Sequence, residues 1–126
     1  MRLAFLGISL ALAASAANAI PARDFNPSFF NALQIRDEPI VLVVTRSDCS
    51  ACEAQVSSFQ QLASKGRYRS VVIMKIDVDK YPSMAKALGI RQDTIAIGFH
   101  GFKETRRLTG NPEPAKQDPI LASTLR

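Results

Sequence analysis

Every residue from Ile40 to Val44 is apolar, and the whole run Pro39-Ile40-Val41-Leu42-Val43-Val44-Thr45 is rich in β-branched side chains. An unbroken apolar run of this length predicts a central strand covered on both faces. The pattern changes directly after it. From Ser50 onward Cys52, Val56, Phe59 and Leu62-Ala63 recur at helical spacing, while Ser57, Gln60, Gln61 and Lys65 fill the other face. Gly66 is placed to cap that helix. Upstream, Asn26-Pro27 supplies an N-cap and a first-turn proline, and Phe29, Phe30, Leu33 and Gln34-Ile35 follow on a helical face up to Arg36-Asp37-Glu38-Pro39.

Downstream, Ser70 to Ile76 predicts a second buried strand, and Asp77-Val78-Asp79 leads into a short helix over Pro82–Leu88 that stops at Gly89. Thr94 to Phe99 reads as a strand, His100-Gly101-Phe102 as a turn and Lys103–Leu108 as the returning strand of a hairpin. Gly110 breaks this pattern. Pro112, Pro114 and Pro119 then exclude a long helix, leaving a short one from about Pro119 that packs Ile120 and Leu121, with Leu125 beside them. The order is helix, strand, helix, strand, helix, hairpin, helix. A strand–helix–strand unit implies a right-handed crossover between parallel strands, and the hairpin adds an antiparallel pair. The expected fold class is α/β, a mixed sheet with helices on both faces.

Residues 1–19 have the layout of a secretory signal peptide. Arg2 is the positive n-region, Leu3 to Ala14 an apolar stretch too short to cross a bilayer, and Ala17-Asn18-Ala19 the small-x-small cleavage pattern. Cleavage is expected after Ala19, with Ala17 the alternative. The mature chain, residues 20–126, has the length of one small domain. It is expected to be periplasmic or secreted and to keep no stable membrane anchor once the leader is removed.

Lys and Arg total 16 against 11 Asp and Glu, a net of +5. The densest basic cluster, Lys65-Gly66-Arg67-Tyr68-Arg69, falls between a predicted helix and a predicted strand, so it reads as a solvated turn. Dispersed charge of this kind favours solubility and acidic partners, and no nucleic-acid partner is expected.

The chain has two cysteines, Cys49 and Cys52, in Cys49-Ser50-Ala51-Cys52 where strand gives way to helix. A C-x-x-C there is the layout of a dithiol redox pair, since the first helical turn directs its N–H groups at the first sulfur. A structural staple is the competing reading. Closing so short a loop gains only about 2 kcal/mol, against about 3 kcal/mol for a loop of about fifteen residues. Glu53 stands where a haem-attachment motif needs histidine. His100, the single histidine, sits in the hairpin turn and reads as a surface or half-packed residue.

With these residues in view the chain resembles the thioredoxin-fold family from about residue 25 to the end. Val41–Cys52 carries the resemblance first. Lys75-Ile76-Asp77-Val78-Asp79, Pro82, Ala85, Gly89-Ile90-Arg91, Phe99 and Gly110 extend it. The resemblance implies a three-layer thioredoxin-like domain and a thiol–disulfide oxidoreductase, with Cys49 attacking and Cys52 resolving. It departs from the family's pattern in having no Trp, in lacking the usual Pro and any His at Ser50-Ala51, and at two further positions. Val43 occupies the position of a buried acid that would take the resolving thiol's proton, and Thr94 occupies the position of the cis-proline. A cis bond before a non-proline costs roughly 2.5–4 kcal/mol, so Asp93–Thr94 is expected to be trans. Asp93 and Thr94 are the expected substrate-binding residues, with the Thr94 hydroxyl free to reach Cys49. Arg46 and Asp48 act in opposite senses on a Cys49 thiolate.

The expected activity is disulfide exchange with the thiols or disulfides of another exported protein. It needs no cofactor, and a membrane electron donor is required if the protein works as a reductant. Two alternatives stand beside it. One is a redox-inert interaction module of the same fold, and the other a dithiol that handles Cu(I) or Zn.

Overall fold

The computed structural model describes Gly7, residues 21–110 and residues 113–126. Apart from Gly7, the leader with its cleavage sites lies outside the described residues, as does Pro112. The elements are β1 (Arg23–Asp24), α1 (Pro27–Ile35), β2 (Pro39–Thr45), α2 (Ser50–Ala63), β3 (Val72–Asp77), α3 (Pro82–Ala87), β4 (Thr94–His100), β5 (Lys103–Thr109) and α4 (Gln117–Thr124). Single 3-10 turns cover Gly66–Tyr68 and Pro114–Lys116.

Because β2 is apolar on every residue from Ile40 to Val44, it can only lie where both faces are covered. It occupies the centre of a five-stranded sheet of order β1-β3-β2-β4-β5. β1, β3 and β2 run parallel, while β4 and β5 are antiparallel additions. All seven residues of β2 are buried.

Its alternate side chains feed two separate apolar layers. Val41 and Val43 pack with Ile73, Ala96 and Leu108 under α2 (Val56, Phe59, Ala63) and α4 (Ile120, Leu121). Ile40, Leu42 and Val44 pack with Met74, Ile76, Ile97 and Phe99 under α1 (Phe30, Leu33) and the partly buried Met84 and Leu88 at α3. Each such side chain contributes about 1.5–3 kcal/mol on burial. The expected α/β sheet with helices on both faces is therefore the observed architecture.

The differences from expectation are local. β1 carries no periodicity because it is two residues long; its pairing with β3 is supported by Phe25, buried just beyond it. Ile35 is 66% exposed, since it lies five residues past Phe30 and so on the far side of α1. Ser64, not Gly66, closes α2, and Gly66 instead opens the 3-10 turn at φ +40°. Tyr68, in the basic cluster expected to be a solvated turn, is buried. Its hydroxyl donates to Asp118 Oδ1 at 2.7 Å and receives the Arg67 guanidinium. The turn is basic at its rim and aromatic at its core. α4 starts at Gln117, with Pro119 in its first turn where a missing N–H costs nothing. Leu125 remains exposed as the C-cap. No described helix is long and apolar enough to cross a membrane.

Candidate active site

The loop Arg46–Asp48 carries the chain from the C-terminal end of β2 to the start of α2. One contact and one backbone conformation shape it. The Ser47 amide donates to Asp79 Oδ2 at 2.9 Å, and Asp48 takes a left-handed backbone at φ +56°. Asp tolerates that conformation better than most residues. The Ser47 contact, chiefly through its backbone N–H, holds the Asp79 carboxyl below its ordinary value, with a smaller contribution from Arg46.

Cys49 is the N-cap of α2, and Cys52 donates its amide N–H to Cys49 Sγ at 3.2 Å. The two cysteines form a disulfide with Cα atoms 5.3 Å apart. Cys49 is half-buried, while Cys52 is 8% exposed and faces inward with Val56 and Phe59. When the pair is reduced, negative charge on Cys49 sits where the first-turn N–H groups and the helix dipole favour it.

A cleft of about 160 Å³ opens beside the disulfide. Cys49, Ala51, Cys52 and Gln55 form its α2 wall, Val44 and Arg46 its floor and end, and Gln92, Asp93, Thr94, Ile95 and Gly110 its opposite wall. The four residues singled out from the sequence, Cys49, Cys52, Asp93 and Thr94, therefore line one cleft.

No described peptide bond is cis, so Asp93–Thr94 is trans as expected. Thr94 is buried, and its polar groups are turned back on the chain. Its amide donates to Arg91 O at 3.1 Å, and its hydroxyl accepts from the Arg91 amide at 2.9 Å. The hydroxyl is thus engaged by Arg91 and makes no hydrogen bond to Cys49 in the disulfide state. Arg46 donates from Nη2 to Arg91 O at 2.6 Å, which ties the loop before the disulfide to the loop before Thr94. Asp48 is exposed, where solvent and salt screen its effect on the sulfurs.

Val43 is fully buried and pairs across the sheet with Lys75. Lys75 Nζ in turn lies 3.6 Å from Asp24. A larger cavity of about 250 Å³ lies on that side of the molecule, with Glu53, Lys75 and Asp77 among its walls. Neither sulfur lines it, so its size does not make it the reactive site. His100 sits at the far end of β4 from Thr94 and bonds through Nδ1 to Thr124 O at 2.7 Å. A carbonyl only accepts, so Nδ1 carries the hydrogen. Among the described residues no group of three or more His, Cys, Asp or Glu converges as a metal site.

Sequence reasoning missed Gln55 in the cleft wall and Gln117 behind it. Neither was singled out, Gln117 falling before the helix expected from about Pro119, and no local pattern marks the contact between them.

Comparison with known proteins agrees with this fold. No family model matches the chain. Thioredoxin-like protein 1 of Schizosaccharomyces pombe is 34% identical over 77 residues, which is 60% of this chain and 27% of that protein. The chain thus spans about a quarter of the length of the curated relative it matches. Among solved structures, Trxlp of Edwardsiella tarda superposes with a TM-score of 0.69 at 21% identity, covering 79% of this chain and 97% of that one. Malassezia sympodialis thioredoxin gives 0.69 at 21% identity, covering 83% and 95%. Spinach chloroplast thioredoxin f gives 0.66 at 24% identity, covering 82% and 93%. The chain has a thioredoxin-like fold.

Proposed function

We propose that this protein is an exported thiol–disulfide oxidoreductase that exchanges disulfides with another exported protein through Cys49 and Cys52. The observation that carries the reading is the Cys49–Cys52 disulfide at the N-terminus of α2, with the outer sulfur half-buried beside an open cleft. Export is supported by the apolar leader and the Ala17-Asn18-Ala19 cleavage pattern. The thioredoxin-like fold and the 34% identity to a thioredoxin-like protein support the chemistry.

In the reduced protein the Cys49 thiolate attacks one sulfur of a substrate disulfide. A Cys49–substrate disulfide forms and one substrate thiolate leaves. Cys52, after losing its proton, attacks Cys49 Sγ; the internal disulfide closes and the second substrate thiolate leaves. Two electrons pass to the substrate, whose two sulfurs take up two protons. In reverse, the oxidised protein accepts two electrons from a substrate dithiol. Net reduction in an oxidising compartment draws those electrons from a membrane donor.

Cys52→Ser removes the resolving thiol, so it should accumulate mixed disulfides on Cys49 in exporting cells. Non-reducing electrophoresis and mass spectrometry of the captured species measure this. If no disulfide-linked partner is recovered, the reading fails. Alkylation of the reduced wild type at neutral pH should modify Cys49 before Cys52.

A second reading, a redox-inert interaction module, draws on Val43 in place of a buried acid and on the trans bond before Thr94. The reduction potential separates the two. A value in the range of known exchangers supports exchange, whereas one below about −300 mV supports a permanent disulfide.

A further inference from the structure

Gln117, in the first turn of α4, is 1% exposed. A buried carboxamide persists only when its hydrogen bonds are made. Its Oε1 accepts from Ser58 Oγ at 2.6 Å, and its Nε2 donates to Gln55 Oε1 at 2.6 Å. The amide oxygen of Gln55 is therefore spent on Gln117. Its Nε2 has no acceptor among the described residues, and Gln55 lines the disulfide cleft. Ala51 and Cys52, one turn before it on α2, line the same cleft.

Three groups around the facing wall are already engaged within the protein. The Thr94 amide is bonded to Arg91 O, the Asp93 carbonyl accepts from the Gly110 amide at 2.9 Å, and Arg46 Nη2 is bonded to Arg91 O. Val44, Ala51 and Ile95 add apolar surface. An extended peptide in this cleft needs a donor for its main-chain carbonyl, and Gln55 supplies one.

We propose that Gln55 is a substrate-binding residue. Its Nε2–H donates to the main-chain carbonyl beside the substrate's reactive cysteine, and Gln117 is the positioning residue that fixes the amide in that orientation. This rests on the oxidoreductase reading, and it specifies the substrate as an extended peptide disulfide or dithiol.

The test measures second-order exchange rates of the reduced full-length mature protein with two probes. One is a short peptide bearing an internal disulfide; the other is 2-hydroxyethyl disulfide, which is neutral and has no peptide carbonyl. Gln55→Leu removes the donor. Gln55→Glu removes it too, yet still accepts from Gln117. Both should slow exchange with the peptide by about 3- to 10-fold, the worth of one neutral hydrogen bond. The loss should fall on the peptide, so for each variant the ratio of the peptide rate to the hydroxyethyl disulfide rate should drop by that factor, a ratio that cancels any general effect of the Glu charge on the Cys49 thiolate. Gln117→Leu should slow the peptide reaction in the same sense; if that variant melts early, the Gln55 pair decides alone. Equal losses on both probes, or no loss on the peptide, would overturn the assignment. A wild-type protein inert toward both probes would refute the oxidoreductase reading itself, and this inference with it.

Discussion

Thr94 makes two hydrogen bonds to one residue, accepting from the Arg91 amide at its hydroxyl and donating from its own amide to the Arg91 carbonyl. Thr94→Pro removes both, and the Arg91 amide loses its protein partner. The expected cost is about 1–3 kcal/mol, read as a lower denaturant midpoint with an unchanged slope. A variant as stable as wild type would show that the loop can take the proline without these bonds. Asp79 makes a prediction about pH. Its native value is lowered by the Ser47 amide. The contact therefore stabilises the fold above the ordinary aspartate value of about 3.9, and this contribution is lost as the pH falls below it through the lowered native value. Asp79→Asn should flatten that part of the acid-stability curve, and a curve identical to wild type would remove Asp79 as the anchor of the Ser47 loop.

Among the elements, α3 is six residues long and cannot hold itself. Its C-terminal end is fastened from across the sheet. Arg107 on β5 donates to Leu88 O at 2.7 Å and to Gly89 O at 2.9 Å while paired with Glu104 at 2.6 Å. A cation suits those carbonyls. Arg107→Ala should cost about 1–2 kcal/mol, discounted for partial exposure, and hydrogen exchange should rise first in α3. Exchange that rises evenly over the molecule would contradict this fastening. Elements of this kind were only half legible in the sequence. Pro82 and Gly89 mark where α3 begins and ends, because both act on their own backbone. Arg107 gives no such sign, since its partners lie 18 and 19 residues away. The same division holds elsewhere. Local rules located β2, the N-cap Asn26 and the disulfide, whose physics sits within a few residues. Tyr68 was misread because its partner Asp118 is 50 residues away, and the Gln55–Gln117 contact was unseen because it spans 62.

Across the whole molecule, α4 joins the face that carries the disulfide helix. It comes close to β4 at Gly98, where a Cβ would come within 3.1 Å of Thr124 Cγ2 and 3.3 Å of Ile120 Cγ2 on α4, and within 2.9 Å of Thr105 Oγ1 on β5. Thr105 and Ser123 bond at 2.8 Å beside it, and His100 holds Thr124 O. Gly98→Ala should therefore push α4 outward at a cost of about 1–3 kcal/mol, seen in the urea midpoint. A stabilised variant would mean the helix has room to spare. The two ends of the sheet have a further consequence. β1 offers an edge only two residues long, and β5 presents Lys103, Glu104 and Arg106 as exposed charges along its length. A second copy adding itself to β5 would have to desolvate these exposed charges, and one adding itself to β1 would find almost no ladder to extend. The fold thus discourages runaway strand-to-strand stacking into fibrils, so concentrated samples of the folded protein should stay clear and free of dye-binding aggregate.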